Sequence, residues 1–153
     1  MKLRRALVGA LVALMAAAGS LAIASPAQAI PSVCTNNYYA NGRTVYADNE
    51  NNGGGAFVHA NICWDPDGFG MYDTYVEWTV TDTAANGAGA TIRMEWLDPN
   101  GVKHYDVPPS GERAWTAWDT ATGNWDRMNI EGLYIRACLT NTDSEGHHCG
   151  PTW

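Results

Sequence analysis

The chain has 153 residues, 46% of them hydrophobic, with sixteen acidic against nine basic residues and a net charge of −7. That acidity argues against partners held by neutralising a polyanion: nucleic acid, anionic membrane and heparin-like polymers. The length suits one domain with one core.

Lys2, Arg4 and Arg5 form a short basic region, and an apolar run of Ala, Leu, Val and Met follows from Ala6 to Ile23. Ala27-Gln28-Ala29 then supplies the small residues that signal peptidase requires. Residues 1–29 read as a secretory signal peptide, cleaved after Ala29, and the A-x-A site directly behind the run argues against a membrane span. Removing 29 of 153 residues leaves 124, residues 30–153, expected to form a single β-sandwich domain. The basic residues fall to six, all sixteen acidic ones stay, and the mature net charge is −10. The expected location is extracellular, with no membrane association after cleavage.

Beyond the signal, side chains alternate with period two and no helical periodicity appears. A first strand is expected near Arg43–Ala47. Val58, Ala60, Ile62 and Trp64 share one strand face, and Val76, Trp78 and Val80 share another. Ile92, Met94 and Trp96 alternate with Thr91, Arg93 and Glu95. Asp98-Pro99-Asn100-Gly101 makes a tight turn, because Pro presets φ and Gly101 accepts a positive one. Residues 90–107 therefore read as a hairpin whose second strand is Val102–Val107. A shorter strand is expected over Glu112–Trp118, a loop over Asp119–Asn124, and a last strand over Leu133–Leu139. Asn49–Gly55 and Ala84–Gly89 read as loops without structure of their own. About seven short strands separated by turns imply an all-β antiparallel β-sandwich, immunoglobulin-like or jelly-roll-like.

Four cysteines in an exported chain read as two disulfides with three possible pairings. Strand faces alternate, so Cys63 shares its face with His59 and Asn61, and Cys138 shares its face with Tyr134 and Arg136. Both then look away from the sandwich core. That argues against an inter-sheet Cys63–Cys138 bridge under Trp78, and of the pairings the favoured one is Cys34–Cys63 with Cys138–Cys149.

The ending Cys138-x(10)-Cys149-Gly150-x-x-Trp153, after Gly132-Leu133-Tyr134-Ile135-Arg136-Ala137, resembles small exported two-disulfide β proteins of actinobacterial type. The Ala-rich leader is similar as well. The resemblance implies export and a compact disulfide-bonded β fold, and carries no active site.

Catalysis has little support in the sequence. Ser32, Ser110 and Ser144 are the only serines after the leader, and none lies in a nucleophile elbow. His147-His148 could bind metal only if further ligands converged, and neighbours on an extended chain point to opposite sides. Asp65, Asp67 and Asp73 fall at positions 1, 3 and 9 of a loop resembling a calcium-binding one. Phe69 and Val76 stand where oxygen ligands belong, so the preferred reading is an acidic turn. No metal, cofactor or catalytic residue is expected.

All seven Trp and all seven Tyr lie in the mature chain. Trp64, Trp78 and Trp96 sit at inward positions and read as core. Trp115, Trp118 and Trp125 cluster in a polar stretch with few aliphatics, where an outward indole could stack on a sugar. The expected ligand contacts are therefore Trp115, Trp118, Asp119, Asn124, Trp125 and Asp126. The expected partner is an extracellular polysaccharide or a secreted protein, met by a non-catalytic monomer. The alternative is a secreted proteinaceous inhibitor of a hydrolase, with the Cys138–Cys149 loop as its inhibitory element.

Overall fold

The computed structural model describes residues 29–142 and 146–153. The leader assignment, apart from Ala29 itself, lies outside the described residues, as does the tip of the Cys138–Cys149 loop. Among the described residues the fold is a short helix, α1 (Ser32–Asn36), and six strands: β1 (Asn41–Asp48), β2 (Ala56–Pro66), β3 (Tyr72–Asp82), β4 (Gly89–Leu97), β5 (Lys103–Asp106) and β6 (Thr120–Thr140). All pairings are antiparallel, in the order β1-β2-β3-β6-β4-β5.

The long strand β6 turns this sheet into two layers. Ile130 is its last residue paired with β3, and Glu131 its first paired with β4. On either side of this switch the backbone takes a left-handed conformation, at Asn129 (φ 56°) and Gly132 (φ 62°). Asn and Gly are the residues that tolerate this region, so the bend is written into the sequence where the strand changes layers. One layer is β1-β2-β3 with the first half of β6; the other is the second half of β6 with β4 and β5. Alternate residues of both layers meet in one core, including Val58, Val76, Trp78, Ile92, Met94, Ile130 and Ile135.

Two expectations about elements are corrected. Residues 112–118 form no strand; only an isolated bridge, Ala90 to Ala114, ties this stretch to β4. The expected loop at Asp119–Asn124 is strand from Thr120 onward, because Thr120 and Thr122 register against Thr81 and Thr79. Its polar residues mark a solvated sheet face and not a loop. Among the described residues the strand count is thus six, with one strand serving both layers. The hairpin at 90–107 is present with a shorter second strand, and the Asp98 carboxylate caps its turn by accepting from the Asn100 and Val102 N–H groups.

The disulfides are Cys34–Cys63 and Cys138–Cys149. Cys63 and Cys138 leave the core on the outer faces, as their parity requires, yet both are fully buried. Each is covered by what it is bonded to: α1 lies over Cys63, and the C-terminal segment lies over Cys138. That segment runs along the free edge of β6, where Leu139 and His147 exchange two backbone hydrogen bonds and Ile135 and Trp153 exchange two more. It also reaches the end of β1. The fully buried Asn49 donates to the His148 carbonyl at 3.0 Å and accepts from the Ala56 N–H at 2.8 Å. Gly150 lies so close to the Asp48 carbonyl that no side chain fits there. The tail thereby closes the gap between the two layers.

Candidate functional site

The outer face of the β1-β2-β3-β6 layer carries a polar groove. Strand alternation turns Thr44 and Tyr46, then Phe57, His59 and Asn61, then Tyr75, Glu77, Thr79 and Thr81, and finally Thr120, Thr122, Asn124 and Asp126 away from the core. Register aligns these residues into ranks across the sheet. Tyr46, His59, Thr79 and Thr122 form one rank; Thr44, Asn61, Glu77 and Asn124 form the next. His59, Thr79 and Thr122 of the first rank and Asn61, Glu77 and Asn124 of the second line a groove of about 370 Å³, open to solvent.

Aromatic rings border this trough on two sides. Tyr46, 58% exposed, stacks on His59 with centroids 4.9 Å apart, and Phe57 lies 6.2 Å from Tyr46. Beyond the Glu77 rank, Tyr39 and Tyr75 stack at 6.3 Å. Burial raises both phenols above their ordinary range. Asp126, Asp73 and Asp65 add to this at Tyr39, and Glu77 and Asp126 at Tyr75. Both rings stay neutral at physiological pH and keep their O–H donors. Within the trough the Thr44 hydroxyl donates to Asn61 Oδ1 at 2.8 Å, which turns the Asn61 amide N–H₂ toward other partners.

The six contacts expected from sequence separate. Asn124 and Asp126 lie on this outer face. Trp118 is 76% exposed at the end of the layer, held by its N–H donating to the Asp82 carbonyl at 2.6 Å and by a left-handed backbone (φ 70°). Asp119 follows it, and its carbonyl accepts from the Asp82 N–H. Trp115, 38% exposed, is tied elsewhere, with its indole N–H donating to the Ser110 carbonyl at 2.8 Å. Trp125 is corrected outright. It is 9% exposed in the core, tilted against Trp96 at 5.2 Å, and donates to Asp106 Oδ2 at 3.1 Å. It shares the parity of Ala121 and Gly123, opposite to Asn124 and Asp126, once β6 includes this stretch.

Tyr46, His59, Asn61, Glu77, Thr79 and Thr122 were not among the expected contacts. Their signal is the polar alternation of β2 and β3, which shows an outer face but not which outer faces adjoin.

Each of the three carboxylates of the acidic turn accepts from a backbone N–H, that of Asp67 within the turn and the other two from other segments. Asp67 accepts from the Phe69 and Met71 N–H groups, Asp65 from Ala40, and Asp73 from Asn129. Among the described residues no group of three or more His, Cys, Asp or Glu could hold a metal ion. The histidine pair departs from the extended geometry assumed for it. His148 adopts φ 47°, and the two rings meet edge-on with Nδ1 atoms 2.6 Å apart. No helix among the described residues is long and apolar enough to cross a membrane.

Comparison of the chain with protein-family models, curated proteins and solved structures found no match.

Proposed function

We propose that this is a secreted, non-catalytic recognition module that binds an extracellular glycan across the outer face of the β1-β2-β3-β6 layer. The observation that carries the reading is the double rank of His59, Asn61, Glu77, Thr79, Thr122 and Asn124 in one groove, bordered by Tyr46 and Tyr75. Sugars present hydroxyls around a partly apolar ring. A trough of amide, carboxylate and hydroxyl groups with aromatic borders matches both halves of that chemistry. Secretion is supported by the leader-like residues 1–29 and by two disulfides, which persist in oxidising compartments. Trp118, exposed at the end of the same layer, supplies a further stacking surface for a longer chain.

The test is retention of the oxidised protein on insoluble cellulose, chitin and cell-wall preparations, compared with Glu77→Ala/Asn124→Ala and with Trp118→Ala. Retention lost in the double variant supports the face assignment. Retention unaffected by either variant overturns it. No retention on any matrix, together with inhibition of a hydrolase panel, would favour the inhibitor reading.

A further inference from the structure

A second concavity lies at the opposite end of the molecule from Trp118, where β1 starts, β2 ends and β6 bends. It has a volume of about 210 Å³ and is lined by Arg43, Ile62, Trp64, Tyr72, Ile130 and Leu133, among others. An apolar cavity of about 150 Å³ is already enough to hold benzene, so this one takes a single ring with a short chain. It is too small for the drug-sized ligands that fill pockets upward of about 300 Å³.

Arg43 is the anomaly. It has the parity of Val45 and Ala47, both core residues, and it registers opposite Ile62, which is 3% exposed. Alternation therefore aims a guanidinium at the mouth of an apolar cleft, a place where an aliphatic side chain would continue the core. Among the described residues Arg43 has no ion-pair or hydrogen-bond partner. Thr74, the hydroxyl that also lines the cleft, already donates to the Arg127 carbonyl at 3.0 Å. The arrangement is an apolar, aromatic-walled cleft with one free forked cation at its rim, and the ligand complementary to both is a small hydrophobic carboxylate.

We infer that this cleft binds a single-ring aryl-alkanoate, its ring among Ile62, Trp64, Ile130 and Leu133 and its carboxylate on Arg43. The site is separate from the glycan face and does not rest on that reading.

The probes are 3-phenylpropionate and its uncharged counterpart 3-phenylpropan-1-ol, titrated into the oxidised protein by calorimetry and by ¹H–¹⁵N NMR. The Trp64 indole N–H is expected to show one of the largest shifts with both. Arg43→Gln is expected to weaken the acid about tenfold or more and to leave the alcohol unchanged, as for loss of a hydrogen-bonded charge pair. Leu133→Trp, which fills the cleft from a half-buried position, is expected to abolish both. Should that variant not fold, the wild-type shift map and Arg43→Gln decide the matter alone. Equal affinity of Arg43→Gln for the acid, shifts centred away from Trp64, or absence of saturable binding by the acid would each overturn the inference.

Discussion

The indole N–H of Trp125 donates to the carboxylate of Asp106 across the gap between β6 and β5, at 3.1 Å. This one bond lets a tryptophan from a polar stretch lie inside the core. Its ring packs on Trp96, and its polar tip is satisfied at the margin, as is usual for buried indoles. Trp125→Ala is expected to destabilise the fold by about 3–5 kcal/mol, the usual range for emptying a buried aromatic site. Trp118→Ala, at an exposed indole, is expected to stay within about 0.5 kcal/mol of wild type. Chemical denaturation of the two variants checks the contrast. Similar losses in both would contradict the placement of these side chains.

Glu95 lies on the outer face of the other layer, yet its side chain is only 4% exposed. Arg93 Nε and Arg136 Nε each stand 3.1 Å from its Oε1, and Lys103 Nζ stands 2.6 Å from Oε2. Removing the carboxylate would leave three cations facing one another. A buried partner lost in this way costs about 3–5 kcal/mol. The cations here are partly solvated, so Glu95→Ala is expected to cost about 2–3 kcal/mol. The loss should shrink in high salt, where the repulsion left behind is screened. Urea unfolding at low and high ionic strength measures both effects.

The Cys138–Cys149 bridge holds the segment that closes the sandwich. Its separation of 11 residues corresponds to about 3 kcal/mol of unfolded-state restriction. In the Cys138→Ala/Cys149→Ala variant, the amides of His147, Gly150 and Trp153 are expected to lose hydrogen-exchange protection. Those of Val76 and Val80 should keep theirs. If the tail amides remain protected, its backbone bonds to Leu139, Ala137 and Ile135 hold it without the disulfide.

Asp98 titrates below the ordinary carboxylate range. The chief cause is its hydrogen bond with His104 at 3.1 Å, followed by the Val102 N–H that it also accepts. A depressed folded value means that the hairpin gains from the ionised form above the ordinary aspartate range. That gain is lost as pH falls through the folded value. NMR titration of the Asp98 side chain should give a midpoint below that of a free aspartate, and His104→Phe should move it upward. An unmoved midpoint would assign the effect to the turn backbone alone.

Much of the fold was legible because strand periodicity is a local property. Val58-Ala60-Ile62 and Val76-Trp78-Val80 declared their core faces, and Asp98-Pro99-Asn100-Gly101 declared its turn. The same parity placed Cys63 and Cys138 outside the core, and so selected the observed disulfides over an inter-sheet bridge. Where the reading failed, at Asp119–Asn124 and at Trp125, threonines and asparagine imitated a loop while forming the solvated face of a strand.

The sequence by itself determined which side chains share a strand face, that Cys63 and Cys138 both face away from the core, and where the chain can turn. All of these follow from the geometry of a few consecutive residues. The tertiary structure alone decided that β3 and β6 are neighbours, which aligns Glu77 with Asn124 into one groove. It also decided that β6 crosses from one layer to the other, which buries Trp125, and that Arg43 ends at the rim of an apolar cleft. Strand pairing joins residues far apart in the chain, and its register is chosen by the core as a whole, so no local pattern records it.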